Sequence, residues 1–175
     1  MKKLLTTLLS LAAVTAYAGD AVDPKCPVAQ PCYLAGELQV DLFGSATLVD
    51  ADDDFYGGGV GINYFITQYI GVGASWNLID LDSELASSSD TVLHDVSFDL
   101  IVRAPLGEES CTAVYGLVGG GFITNGSTLG TIDFGVGLEH RYGGAFGVFV
   151  EARQKYVPAA DIDFSSFRVG ARVVF

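Results

Sequence analysis

The last thirteen residues of the chain, from Asp163 to Phe175, alternate between two kinds of side chain. Counting back from the end, one face carries the apolar residues Phe175, Val173, Ala171, Val169 and Phe167. The opposite face carries Val174, Arg172, Gly170 and Arg168. A period of two is that of a β-strand, in which successive side chains point to opposite faces. The chain therefore ends in a predicted strand with one apolar face and a C-terminal aromatic residue.

The chain is hydrophobic, yet it lacks a long apolar run after its first twenty residues. Its 175 residues are 50% hydrophobic, and the mean hydropathy is +0.40. A membrane-spanning helix needs about 20 consecutive apolar residues, whereas a spanning strand needs only about 10 alternating ones. The composition therefore predicts a single-domain membrane β-barrel. A soluble, secreted barrel or sandwich is the alternative.

Residues 1–18 are predicted to be a signal peptide. Lys2 and Lys3 precede an apolar run from Leu4 to Val14, and Ala16-Tyr17-Ala18 forms a small-x-small cleavage site. No cysteine follows that site directly, which argues against a lipoprotein anchor. The remaining chain has seven basic and 21 acidic residues, a net charge of −14. Such an acidic protein is not expected to bind nucleic acid.

Residues 19–36 are predicted to form a periplasmic lead-in, because Pro24, Pro27 and Pro31 exclude a central strand. Cys26 and Cys32 are close enough in sequence to form a small disulfide loop in an oxidising compartment, which would leave Cys111 unpaired. Cys111 remains an alternative partner for either of them. A metal site is not expected, since there is no C-x-x-C spacing and the histidines are distant.

Seven more segments, all before the last one, alternate between apolar and polar residues. The eight predicted strands are residues 37–46, 55–65, 70–79, 91–104, 111–123, 131–142, 146–156 and 163–175. Short connections such as Asn125-Gly126 and Gly143-Gly144 make neighbouring strands antiparallel. We therefore predict an all-β fold, an eight-stranded antiparallel up-and-down transmembrane barrel, over residues 37–175. Eight is the smallest strand number usual in bacterial membrane barrels.

Two features indicate that the aliphatic face points toward lipid. Glycine is frequent on the polar face, which leaves room for arginines inside a narrow barrel. Aromatic residues lie near both ends of the aliphatic face, as in the two interfacial girdles of membrane barrels. These residues are Tyr56, Trp76 and Tyr156 at one end and Tyr64, Tyr142, Phe146 and Phe175 at the other.

The closing strand and the stretch Y-F-I-T-Q-Y-I-G-V-G-A from Tyr64 to Ala74 resemble small bacterial outer-membrane barrels of the opacity, surface-antigen and OmpX-like type. The resemblance implies a Gram-negative outer membrane reached through the periplasm, a monomer, and contact with membrane lipid and lipopolysaccharide. It also implies insertion by the barrel-assembly machinery through the C-terminal Phe175. Both termini and the turns between strands 2 and 3, 4 and 5, and 6 and 7 would then be periplasmic.

The polar face is predicted to form a salt-bridged plug, because an eight-stranded barrel is just wide enough for side chains to fill it. Strands 1 and 8 meet on closure, so we expect contacts from the acids of strand 1 to the arginines of strand 8, with strand 7 contributing Glu151. The predicted plug residues are Glu37, Asp41, Asp99, Arg103, Glu139, Arg141, Glu151, Arg153, Arg168 and Arg172, and Asp95, Asp133 and Lys155 also point inward.

The excess negative charge is predicted to lie in three outward loops, at Asp50, Asp52, Asp53 and Asp54, at Asp80, Asp82, Glu84 and Asp90, and at Asp161 and Asp163. Such carboxylates can bind divalent cations weakly and bridge to lipopolysaccharide. Asp50, Asp52 and Asp54 have the spacing that opens an EF-hand loop, but Phe55 occupies the glycine position. The prediction is a solvated acidic rim with no specific metal and no cofactor.

Catalysis is not expected. A hydrolase of the small-barrel type needs a serine and a histidine on a shared face. His94 and His140 fall on the predicted lipid face, whereas Ser97 points inward. The expected role is therefore structural, adhesive or surface-interacting. The alternative is a narrow, porin-like channel that prefers cations because of its acidic mouth.

Overall fold

The computed structural model describes residues 32–49, 53–80, 92–106, 111–143 and 145–175, and in them eight antiparallel strands close into one barrel. The strands are β1 (Glu37–Val49), β2 (Asp53–Phe65), β3 (Ile70–Asp80), β4 (Val92–Pro105), β5 (Thr112–Asn125), β6 (Ser127–Tyr142), β7 (Phe146–Val157) and β8 (Ile162–Val174). The predicted fold class is confirmed. The described residues contain no helix long and apolar enough to cross a membrane. The predicted signal peptide and residues 19–31 of the predicted lead-in lie outside the described residues.

The strand register fixes the stagger of the barrel. From Gln39 on β1, successive paired residues are Asn63, Gly73, Asp99, Gly119, Asp133, Lys155, Phe164 and finally Val49, again on β1. The path returns to β1 ten residues from where it began. For eight strands this stagger corresponds to a strand tilt of about 40° from the barrel axis. At this tilt the 13 residues of β1 rise roughly 33 Å, enough to cross a hydrocarbon core of about 30 Å.

The β1–β2 and β3–β4 hairpins extend further into the predicted acidic loops than the alternation of apolar residues indicated. Val49 pairs with Asp53, so Asp53 and Asp54 belong to β2 and not to a loop. Asp80 is likewise the last residue of β3 and pairs with Val92. Backbone hydrogen bonds do not require apolar side chains, so the ladder continues where the alternation has stopped.

The β5–β6 and β7–β8 hairpins, at the same end of the barrel, show the same extension. Asn125 pairs with Ser127 across Gly126, whose φ of 76° permits this tight reversal. β6 therefore begins at Ser127 and not at the predicted Thr131. Asp163 pairs with Tyr156 and lies in β8. We call this end of the barrel the loop end and the opposite end the termini end. Three of the four connections at the loop end are shorter than predicted, whereas the one between β3 and β4 keeps its predicted length.

The aliphatic face of each strand points outward. Leu42, Val136 and Phe167 are 66%, 65% and 56% exposed in the barrel. The seven aromatic residues predicted to form two girdles are all exposed on this outer wall. Trp76, on the loop-end side of β3, stacks on His94 with 6.0 Å between ring centroids. The outer wall is therefore an apolar band bounded by aromatic rings, as hydrocarbon and its two interfaces require.

Candidate functional site in the barrel interior

The charged side chains inside the barrel form two separate ion-pair networks. All thirteen acids and bases predicted to point inward are buried there, and they include every lysine and arginine that the structure describes. The ion pairs fall into two sets that share no residue. Because these groups are out of water, their charges are stabilised only by one another and by hydrogen bonds.

The first set, which we call the termini-side network, consists of Glu37, Asp41, Arg103, Glu139, Arg141 and Arg172. Glu37 accepts a hydrogen bond of 2.8 Å from Arg103 and another from Arg141. Arg172 pairs with Glu139 and donates to both carboxylate oxygens of Asp41, each at 2.7 Å. Asp41 and Arg172 are register partners across the β1–β8 seam. Three acids and three bases balance in this network.

Tyr33, in the segment that precedes β1, covers the termini-side network. The ring is 3% exposed and lies 4.5 Å from the guanidinium carbon of Arg103 and 4.2 Å from that of Arg141. Its hydroxyl donates to the carbonyl of Cys111 at 2.9 Å. Burial raises the pKa of Tyr33, and the charge of Glu139 adds to this effect, while the neighbouring arginines lower the pKa.

A disulfide joins Cys32 to Cys111, with 5.2 Å between their Cα atoms. The predicted Cys26–Cys32 pairing is therefore wrong. Cys32 and Cys111 each lie just before a strand that starts at the termini end, β1 and β5 respectively, so closure of the barrel brings them together. Arg141 also donates to the Cys32 carbonyl at 2.5 Å. The sequence feature that could have indicated this pairing is the position of each cysteine ahead of a strand.

The second set, the loop-side network, consists of Asp95, Asp99, Asp133, Glu151, Arg153, Lys155 and Arg168. Arg153 donates to Glu151 at 2.5 Å, and one of its terminal nitrogens lies 2.8 Å from Asp99 and 3.1 Å from Asp133. Arg168 lies 3.7 Å from Glu151. Lys155 pairs with Asp95 and donates to Ser97 at 2.8 Å. This network has four carboxylates and three cations.

A largely apolar layer lies between the two networks, and the sequence analysis missed it. It consists of the buried residues Phe43, Phe65, Ile101, Tyr115, Leu117 and Phe149. The hydroxyl of its Tyr115 donates to Glu151 of the loop-side network at 3.0 Å. Arg172 lies 4.8 Å from the centre of the Phe149 ring on one side, and Arg168 lies 4.7 Å from that of Phe43 on the other. These residues have the same parity along their strands as the inward charges, and that parity was the available signal.

A second apolar group lies near the loop end, where Phe55, Ile79, Ile123 and Val157 are buried. Two interior cavities have volumes of about 20 Å³ each. One is lined by Asp41, Asn63, Asp99 and Tyr115 among others, and the other lies beside Ile79 and Ile123. A cavity of this size accommodates about one water molecule.

The predicted acidic rim is only partly described. Asp80, Asp161 and Asp163 are exposed, and the Tyr156 hydroxyl donates to Asp161 at 3.0 Å. Asp50, Asp52, Asp82, Glu84 and Asp90 lie outside the described residues. Within the part of the chain that is described, no group of three or more histidine, cysteine, aspartate or glutamate side chains is arranged to hold a metal ion.

The two histidines lie on the outer wall, apart from the interior networks. His94 stacks on Trp76, while Ser97 is buried inside with Lys155. His140 has a hydroxyl partner that the sequence analysis missed, because its Nδ1 lies 2.8 Å from Oγ1 of Thr112. Thr112 and His140 are register partners on β5 and β6. A serine–histidine pair of the kind considered from sequence is therefore not formed by His94 and Ser97.

A closed eight-stranded barrel with a stagger of ten, an apolar outer wall and a charged, filled interior is a transmembrane β-barrel. No protein-family model and no curated protein matches this sequence. Among solved structures, the attachment invasion locus protein Ail of Yersinia pestis is 15% identical with a TM-score of 0.57, over 81% of this chain and 100% of that one.

Two further solved structures share the architecture. Neisserial surface protein A is 11% identical with a TM-score of 0.60, over 78% of this chain and 95% of that chain. A de novo designed transmembrane β-barrel is 15% identical with a TM-score of 0.57, over 81% and 97%. At such low identities the shared property is the fold. This chain has the fold of the small bacterial outer-membrane barrels, as the resemblance of its closing strand implied.

Proposed function

We propose that the protein is an integral outer-membrane barrel with a closed interior, which acts through its outer surface in a structural, adhesive or other interaction role and not as a catalyst. The filled lumen is the observation that carries this proposal. The membrane location is supported by the apolar outer wall and by the fold shared with Ail and Neisserial surface protein A. Phe175, 72% exposed at the end of β8, is the proposed signal for the barrel-assembly machinery.

The described part of the interior offers an ion no open route. An ion entering from the termini end meets Tyr33, then the pairs that Arg172 makes with Asp41 and Glu139, then the rings of Phe43 and Phe149. Separating buried ion pairs and moving a charge past an apolar layer are both costly. The two interior cavities described above, of about 20 Å³ each, do not themselves provide a water column. The energetics therefore favour a barrel that does not conduct.

An adhesive role would require a partner suited to an acidic surface. The name of Ail describes attachment and invasion, and Ail has been crystallised with the heparin analogue sucrose octasulfate. Every lysine and arginine described in the present chain lies inside the barrel, and Asp80, Asp161 and Asp163 are exposed at the loop end. Charge complementarity thus favours a neutral or cationic partner over a sulfated glycan. Lipopolysaccharide would then be approached through weakly bound divalent cations.

Planar bilayer recording tests the closed barrel against the channel alternative. The refolded protein lacking residues 1–18 is inserted, and insertion is verified by the heat-dependent shift in gel mobility of folded barrels. We expect no unitary current from the folded protein. Reproducible cation-selective steps, weakened in selectivity by Asp80→Asn at the loop end, would replace this proposal with a narrow channel whose acidic mouth selects cations.

A further inference from the structure

The loop-side network has one more acid than it has bases. Its four carboxylates are accompanied only by Arg153, Lys155 and Arg168, whereas the termini-side network has three acids and three bases. Every lysine and arginine that the structure describes already belongs to one of the two networks. Within the described residues, one buried negative charge is therefore left without a counter-charge. A buried carboxylate in this situation is strongly disfavoured and tends to take up a proton.

Two of the four acids have partners of their own. Asp95 pairs with Lys155. Glu151 accepts a hydrogen bond of 2.5 Å from Arg153 and one of 3.0 Å from the Tyr115 hydroxyl. Neither Asp95 nor Glu151 has a buried side-chain oxygen that lacks a hydrogen bond. The surplus charge therefore belongs to the other two acids, Asp99 and Asp133.

Asp99 and Asp133 share one partner. A single terminal nitrogen of Arg153 lies 2.8 Å from Oδ2 of Asp99 and 3.1 Å from Oδ2 of Asp133. The two carboxylates are thus within about 6 Å of each other, where like charges disfavour one another. Asp99 is 6% exposed and Asp133 is 0% exposed. The Oδ1 atom of each is buried and accepts no hydrogen bond from the described residues.

The strand register explains why these oxygens have no donor. Asp99 lies between Gly73 on β3 and Gly119 on β5, neither of which has a side chain that could donate. Gly119 is in turn the register partner of Asp133 on β6. A Cβ atom on Gly119 would lie 2.5 Å from Oδ1 of Asp99, so this oxygen occupies the space above the glycine. The two acids therefore lie on either side of a glycine in one cross-strand row.

The remaining charges around the pair fix how much charge the pair carries. Across the cavity beside Asp99 lie Tyr115 and the mutually paired Asp41 and Arg172. The other members of the loop-side network provide two acids and three bases, so one negative charge on the pair makes this network neutral. These members are Asp95 on β4, Glu151, Arg153 and Lys155 on β7, and Arg168 on β8.

The chemistry of the site favours a proton over other groups that could balance the charge. A divalent cation takes about six oxygen ligands, whereas the pair offers two unpartnered oxygens. One water molecule in the cavity beside Asp99 could donate a hydrogen bond but would leave the net charge unchanged. A proton needs one oxygen and turns a carboxylate into a hydrogen-bond donor.

We propose that Asp99 and Asp133 form a buried proton-binding site, which holds one proton at neutral pH and makes the loop-side network electrically neutral. Because the two acids interact, the proton belongs to the pair and not to either residue. The site concerns the interior of the barrel and does not depend on the role proposed for the outer surface.

Infrared spectroscopy of the folded protein, purified from membranes in a detergent without carbonyl groups, tests the site directly. A protonated carboxylic acid has a carbonyl stretching band that an ionised carboxylate lacks, and we expect this band from the wild type at neutral pH. Asp99→Asn should abolish it, because the neutral amide removes the surplus charge. Asp133→Asn should do the same and provides a second variant. Asp80→Asn is the matched control, since Asp80 is exposed at the loop end, and it should keep the band.

The pH dependence of unfolding gives an independent measurement. The aspartates of the unfolded chain release their protons near pH of about 4. Above this pH the folded wild type holds one proton more than the unfolded chain, so its stability falls as the pH rises. The unfolding equilibrium constant of the wild type, relative to that of the Asp99→Asn variant, should increase about tenfold per pH unit until the pair releases its proton.

Three outcomes would overturn the site: no carboxylic-acid band in the folded wild type, a band that survives in both asparagine variants, or wild-type and variant stabilities that change in parallel with pH. If the band is absent and stability requires sodium in place of choline at constant ionic strength, a small cation balances the charge and the proton is refuted. Unitary currents in bilayer recordings would overturn the closed barrel alone, since the band depends only on the two buried side chains.

Discussion

Asp41 and Arg172 face each other across the seam where β1 meets β8, and both oxygens of the carboxylate accept hydrogen bonds of 2.7 Å from the guanidinium group. The two residues are 131 positions apart in the sequence. The pair therefore joins the first and last strands inside the barrel, while the backbone ladder joins them in the wall. Bidentate arginine–carboxylate pairs of this kind are stronger than hydrogen bonds between neutral groups.

Asp41→Asn should destabilise the folded barrel by about 3 kcal/mol, because Arg172 loses a buried counter-charge. Urea unfolding in lipid vesicles, followed by the fluorescence of Trp76, measures this change. Asp80→Asn is the control, since Asp80 is exposed at the loop end and its replacement should change the free energy of unfolding by less than about 0.5 kcal/mol. Equal effects of the two substitutions would contradict a structural role for the pair.

The disulfide should be found between Cys32 and Cys111, with Cys26 as the thiol that alkylating reagents modify. Its removal in a Cys32→Ser, Cys111→Ser variant should lower stability by about 4.5 kcal/mol in the chain-entropy account, because the bridge spans 79 residues. Peptide mapping under non-reducing conditions identifies the pairing, and Cys26→Ser should leave stability unchanged. Recovery of a cross-linked Cys26–Cys32 peptide would refute this connectivity.

Tyr33 should make the stability of the barrel fall in alkaline solution. Burial raises its pKa in the folded state above the usual value of about 10. The unfolded chain therefore releases this proton first as the pH rises, and the stability present below pH of about 10 is lost progressively above it. Tyr33→Phe removes the titrating group, so unfolding curves of the variant should be flatter than those of the wild type above this pH. Parallel curves would show that Tyr33 ionises freely.

Gly121 should not tolerate a side chain. A Cβ atom at this inward position of β5 would collide with the backbone carbonyl of Val96 on β4, which cannot move without breaking the ladder. We expect Gly121→Ala to cost about 2 kcal/mol and to lower refolding yield. Gly116→Ala, on the same strand but facing outward, has its nearest neighbour at 3.9 Å and should be neutral or slightly stabilising. Equal refolding yields from the two variants would contradict the close approach of Gly121 to the Val96 carbonyl.

The interior could be predicted in part. Strict alternation places Glu37, Asp41 and Arg172 on one face of their strands, and the charged face of a narrow barrel has to lie inside. Alternation along a strand does not give the height of a residue within the barrel, so the division into two networks was not predictable. For the same reason Phe43 and Phe149, which share the inward parity, were not recognised as a layer.

The sequence by itself determined the fold class, the number of strands and the face of each strand that points to lipid, because these properties depend on side chains two residues apart. Only the tertiary structure decided the stagger of ten, the partner of Cys32, and the extension of the hairpins into Asp53 and Ser127. Each of these depends on which residues meet across strands. That pairing is set by closure of the whole sheet, a long-range constraint that no local pattern contains.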